Sequence, residues 1–349
     1  MDTKKNIFLK NKFWAIILVA QFSLFYILSK VDFAVTFFSN LFEWKKYFHV
    51  LLFSKFGFSV GDVIYTLVSL YLVFAIINLI RKKKSETLKQ LFIFINISYF
   101  IYQCFWGMLY FQTPIIKKLS KKDITEQDLK NLTIKYLALC KESREKVFEN
   151  KNGVFIIKDL KMIEAEILSQ QKSLPSSITS KAAISTASVK SSLYSSLMNY
   201  TGILGYYNPF TAESQFNPNL PSTQLPFTLA HEMSHQLGFA REQEASFIAY
   251  LCAKDSRDDN LRYSMQLYVL KSLLRNLSFK DKAFVKVILS QYSEKMKIDR
   301  KSELEFLKKH DSVLSDIFGF TNDLFLKSNQ QDGSITYSYF ITLVALYEA

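Results

Sequence analysis

Along the first third of the chain, charged positions are sparse and long apolar runs separate them. Between Lys12 and Lys30 lie 17 uncharged residues, FWAIILVAQFSLFYILS. Between Lys55 and Arg81 lie 25 whose single charge is Asp62, and between Lys89 and Lys117 lie 27 with none. A helix needs about 20 mostly apolar residues to cross the hydrocarbon of a bilayer. The pattern therefore predicts three transmembrane helices, at about 13–29, 58–80 and 91–111, making residues 1–111 a membrane anchor. The first run leads into SKVDFAV and not into a small-residue cleavage site, so it reads as a retained helix. Asp62, near the front of the second run, is expected to be solvated at the interface.

After Phe111 the pattern changes to apolar positions at helical spacing among charged ones. In ITEQDLKNLTIKYLALCKESREKVF, Leu129, Leu132, Tyr136, Leu139 and Cys140 share a face, and Thr125 with Asp128 forms a capping pair. NKNG at 150–153 signals a turn, followed by a short strand or, from Leu160, another helix. From Ser173 to Met198 ten residues are Ser, which predicts a solvated loop. The C-terminal hundred residues return to helical period. The fold class expected is a mainly α membrane protein whose residues 112–349 form one predominantly helical α+β domain.

Composition sharpens this picture. The chain has 349 residues, 49% of them hydrophobic, which excludes a disordered polymer, and only 9 Gly and 6 Pro, which disfavours a turn-dense all-β fold. Its net charge of +13 raises nucleic acid as a partner, but position matters more than the sum. Residues 1–111 hold 13 Lys/Arg against 5 Asp/Glu, and the excess flanks the apolar runs. It is read as a topology signal facing a lipid bilayer, with no nucleic-acid partner. RKKK at 81–84 places the connection between the second and third spans in the cytoplasm, and residues after 111 outside. Cys104, Cys140 and Cys252 contain no CxxC and suggest neither disulfides nor a cysteine metal site.

The chemistry concentrates in HEMSH at 231–235. With 4 His and 16 Glu in the chain, random placement gives roughly 0.002 such HExxH patterns. Residues i and i+4 share a helix face, so His231 and His235 can bind one Zn2+ ion. Glu232 stands beside them as a general base for a water on the metal. Pro226 suits the first turn of that helix and Gly238 its end. A catalytic zinc keeps three protein ligands and one open position. Arg241 occupies the place where some metalloproteases carry a third histidine. A glutamate from FAREQEASFIAYL is left: Glu244 is preferred, since the Glu-Ala pair at 244–245 resembles the ligand helix of glutamate-type zincins, with Glu242 the alternative.

GYYNPFTAESQFN at 205–217, LPFTLAHEMSHQLGFAREQEASFIAYL at 225–251 and GSITYSYF at 333–340 together resemble the bacterial membrane family catalogued as domain of unknown function 3810. The resemblance implies a zincin-like metallopeptidase domain in the bacterial cytoplasmic membrane, with His231, His235 and Glu244 as ligands and Glu232 as base. It implies nothing about substrate. Zincins set an extended edge strand beside the active-site helix, where a peptide or protein substrate can add by backbone hydrogen bonds. TGILGYYNPFTAESQFN is expected to supply this small edge sheet, with Tyr206 and Tyr207 as cleft walls. Tyr337 is a candidate donor to the oxyanion. The competing reading is a non-catalytic, zinc-stabilised binding or sensor module on a membrane anchor.

Overall fold

Apolar runs form helices in the computed structural model, and so does the charged stretch between two of them. The structure describes residues 11–81, 84–119, 121–328, 331 and 336–349. They divide into two compact units: residues 1–112 together with 208–213, and residues 113–207 with 214–349.

The first unit contains helices α1 (Asn11–Leu28), α2 (Asp32–Phe53), α3 (Val60–Ile80) and α4 (Lys84–Phe105). Two of them, α1 and α3, are long and apolar enough to cross a membrane, where three were expected. The third expected span, 91–111, is α4 up to Phe105 followed by a 3-10 turn at Gly107–Phe111. An uncharged run overstated α4's apolarity, because Asn96, Ser98 and Gln103 interrupt it. Asn96 is paired with the neighbouring helix: its Nδ2 donates to Trp14 O (3.1 Å), and Gln21 Nε2 donates to its Oδ1 (2.9 Å). Rings continue this seam, Phe22 on Tyr99 and Phe25 on Phe100, so α1 and α4 run side by side in the same direction.

The first turn of α3 is capped twice. Ser59 Oγ accepts from Asp62 N, and the Glu213 carboxylate accepts from Val60 N and Gly61 N (3.1 and 2.6 Å). These donors have no partner inside the helix, and an acid at a helix N-terminus is electrostatically favoured. Asp62 is buried here, not solvated as the sequence suggested.

The second unit is built on α5 (Glu126–Arg144), α6 (Leu160–Gln171), α7 (Ser195–Thr201), α8 (Leu225–Leu237), α9 (Glu242–Lys254), α10 (Asp259–Leu277), α11 (Lys282–Ser290), α12 (Glu294–Lys309), α13 (Val313–Ser328) and α14 (Thr336–Glu348). Thr125 and Asp128 form the capping box expected at the start of α5. A three-stranded sheet has the order β1-β3-β2, from β1 (Val189–Ser191), β2 (Gly205–Asn208) and β3 (Glu213–Phe216), with β1 and β3 parallel. The serine-rich stretch, expected to be loop throughout, thus supplies β1 and the start of α7. At the middle of the core, α8 and α9 are buried along nearly their whole length.

A buried ion pair ties this unit together. Arg144 Nε donates to Asp299 Oδ2 (2.6 Å), and Arg144 Nη2 to Gly153 O (2.7 Å). Asp299 also accepts from Phe155 N (2.9 Å) and Tyr263 OH (2.8 Å). Four segments meet at two fully buried side chains. Removing one partner strands the other charge in the interior. Arg144→Met is expected to lower unfolding free energy by about 3–5 kcal/mol, measured by denaturant unfolding in detergent. A loss below about 1 kcal/mol, the range of an exposed pair, would contradict this account.

Candidate metal centre

The HEMSH segment lies on α8, as its periodicity required. Pro226 sits in the first turn, where a missing N–H costs nothing. The turn lacks a side-chain cap of its own, and Ser264 of α10 accepts from Phe227 N (3.1 Å) instead. Gly238 ends the helix with φ 109°, in the left-handed region that favours glycine. The chain reverses there and starts α9 at Glu242, whose N–H donates to Gln331 Oε1 (3.2 Å).

This reversal brings three groups together. Ligand atoms of His231, His235 and Glu242 all lie within 4.8 Å of one another. His231 Nε2 is 3.2 Å from Glu242 Oε2, and His235 Nε2 is 3.5 Å from Glu242 Oε1. The other ring nitrogens are engaged behind: His235 Nδ1–H donates to Phe239 O (2.6 Å), and His231 Nδ1 bonds Ser246 Oγ (3.0 Å). Such outer bonds fix ring orientation and leave Nε2 to face the centre.

Glu244 is elsewhere. Its Oε1 accepts from Ile115 N (2.9 Å) and Arg241 Nη1 (3.1 Å), holding the 3-10 turn at Ile115–Lys118 and the cap of α9. The structure thus groups the alternative, Glu242, with the histidines, and the preferred residue with a backbone amide and a guanidinium. The start of α14 carries Tyr337, whose side chain lies outside the described residues.

Electrostatics within the trio are strongly coupled. Burial opposes charge on His235, but Glu242 outweighs it and lifts the imidazole to about 9. Burial would raise Glu242, yet the two histidines hold it well below the usual carboxylate range. His231 is lowered, because burial, helped by His235, outweighs its bond to Glu242. These directions favour an ion pair of protonated His235 and ionised Glu242. A cation held by the three groups would displace the proton from His235 Nε2, so its binding would weaken as pH falls.

Glu232 differs from all three. Burial pushes its carboxyl up to about 8. Its buried Oε2 accepts no hydrogen bond from the described residues, and a buried polar atom left so is costly. Both properties suit a proton acceptor working near neutral pH. A donor set of two imidazoles, one carboxylate and an unsatisfied base alongside fits zinc with an open position.

Two features of the site escaped the sequence. Ser214 Oγ of β3 donates to Glu232 O (2.9 Å), fixing the helix against the sheet. Gly205, the first residue of β2, leaves no room for a side chain: a Cβ there would lie 2.7 Å from both Glu232 Cγ and Oε1 and 2.8 Å from the Gln215 carbonyl oxygen. Sheet order makes β2 an edge strand, and it carries Tyr206 and Tyr207. Tyr206 OH is 3.4 Å from Ser192 Oγ, and Tyr207 is largely buried with its hydroxyl pKa raised by that burial.

Comparison with known families adds one result. The profile described as protein of unknown function (DUF3810) matches residues 37–345, so the chain belongs to that family. No curated protein and no solved structure matches it.

The Gly205 contact is directly testable. Gly205→Ala is expected to destabilise the protein by about 1–3 kcal/mol through overpacking. Because Glu232 supplies two of the three nearest atoms, the cost should fall by about 0.5 kcal/mol or more in a Glu232→Ala background, the Gln215 carbonyl accounting for what remains. Equal costs in both backgrounds would show that Glu232 does not occupy this space.

Proposed function

We propose that the protein is a membrane-anchored, zinc-dependent peptidase. The observation that carries this reading is the convergence of His231, His235 and Glu242, with buried Glu232 unsatisfied beside them. Two neutral imidazoles and a carboxylate are the ligand set of many hydrolytic zinc sites. Zinc, when bound, supplies Lewis-acid polarisation of a carbonyl and a water acidic enough to attack at neutral pH.

The chain's own residues do the rest. Phe239 O and Ser246 Oγ orient the imidazoles, so no reorganisation is needed when the site acts. Glu232 Oε2 accepts a proton from the attacking water and later returns it to the leaving amine. A peptide extended along the outer side of β2, the edge strand of the sheet, would present its scissile carbonyl near Glu232, since Gly205 lets strand and carboxylate approach closely. Tyr206, on the same strand, would border that peptide.

One set of variants tests the site. Glu232→Gln is expected to keep zinc while hydrolysis of a mixed peptide library falls about 10²–10⁴-fold. Glu242→Gln should weaken zinc binding by more than about tenfold, and Glu244→Gln should leave it unchanged. Zinc content by atomic absorption and cleavage by mass spectrometry give both readouts. Zinc retained without cleavage by the wild type would favour the sensor reading, and loss of zinc from Glu244→Gln alone would return the ligand role to Glu244.

The anchor reading extends to sidedness. RKKK at 81–84 favours the cytoplasm. From there α4 is proposed to cross beside α1, with Asn96 bonded to that helix. The second unit would then lie outside the bacterial cytoplasmic membrane. A C-terminal tag should be digested by protease added to spheroplasts; digestion only after lysis would reverse the orientation.

A further inference from the structure

Helix α2 carries its polarity inside out. Phe33 and Trp44 are 81% and 65% exposed, whereas Lys45 and Lys46 are 3% and 2% exposed. Phe37, Tyr47, Phe48 and Leu51 join the first pair on one face, since these positions recur at helical spacing. No charged residue of α2 shares that face. The charges are spent inside the first unit: Lys45 Nζ donates to Pro209 O (2.9 Å) and lies over the Phe105 ring (4.1 Å), while Lys46 pairs with Glu43 (2.8 Å).

The neighbours of α2 also fix its direction. From Val35 to His49 it packs on the far ends of α1 and α4 and on the 3-10 turn after α4. Val35 packs with Phe25 and Met108, Phe42 meets Trp106 and His49 meets Phe105. A helix crossing antiparallel to α4 would move along it, and α2 does not. It lies across the end of the α1–α4 pair. Aromatic residues, Trp and Tyr among them, on the outward face of a helix at this level are what a bilayer interface selects.

From this we infer that α2 is an interfacial helix whose Phe33–Phe37–Trp44–Phe48 face lies in lipid at the boundary of headgroups and acyl chains. The occupant is lipid because α1, on which α2 packs through Phe25 and Val35, also turns Ile16, Val19 and Ile27 outward, and because water would favour the opposite placement of lysine and phenylalanine. The inference rests on the membrane half of the reading above and is independent of zinc and catalysis.

The test uses the full-length protein in vesicles of three parts phosphatidylcholine to one part phosphatidylglycerol. Retention in the vesicles after an alkaline carbonate wash checks that the anchor inserts at all; release would fail the membrane reading itself. In the retained protein, the Trp44 signal is the fluorescence difference between wild type and Trp44→Phe. Lipids brominated near the headgroup end of the acyl chain should quench it about twofold, and lipids brominated near the chain terminus should quench it less. The double variant Trp44→Phe/Phe37→Trp moves the probe along the same face and should give the same order. No quenching by either lipid would overturn the inference in favour of water, a partner protein or a second copy on this face. Stronger quenching by the deep bromine would overturn it in favour of a crossing helix.

Discussion

At Gly238 the backbone enters the left-handed region, and the whole site depends on the reversal it permits. Because α9 begins four residues after that glycine, its first turn faces the last turns of α8. Phe239 O, a carbonyl of the reversal itself, takes the Nδ1 proton of His235. Glu242 then falls opposite both Nε2 atoms. A side chain at Gly238 would strain the turn and misplace Glu242 and the Phe239 carbonyl together, so one backbone angle governs three contacts.

Local rules made part of this legible. His231, Glu232 and His235 could be read because the i, i+4 relation is internal to one helix and needs no tertiary information. The choice between Glu242 and Glu244 could not, because two residues apart on a helix is about 200° of rotation. Only one of them can face α8, and the register is set where α9 starts, at a cap supplied from elsewhere by Gln331. Gly205 was invisible for a related reason: its backbone is unremarkable, and only tertiary neighbours, the Glu232 side chain and the Gln215 carbonyl, forbid a side chain there.

In the first unit, charge spacing found α1 and α3 and misjudged the rest. Runs of uncharged residues count charges without knowing which way they point. Glu43, Lys45 and Lys46 broke the pattern across α2, although two of the three are buried. Asn96 and Gln103 passed as apolar in α4 because neither carries charge. Lys45 and Asn96 are satisfied by other parts of the same unit, and hydropathy cannot register that compensation.

The segment at 208–213 has a consequence in time. It joins β2 to β3, yet its Glu213 caps α3 and its Pro209 carbonyl receives Lys45. During synthesis the chain emerges from its N-terminus, so the helices of the first unit are made about a hundred residues before this piece arrives. Until then the amides of Val60 and Gly61 and the ammonium of Lys45 lack their final partners. Assembly of the first unit is therefore completed by residues that lie, in sequence, in the middle of the second.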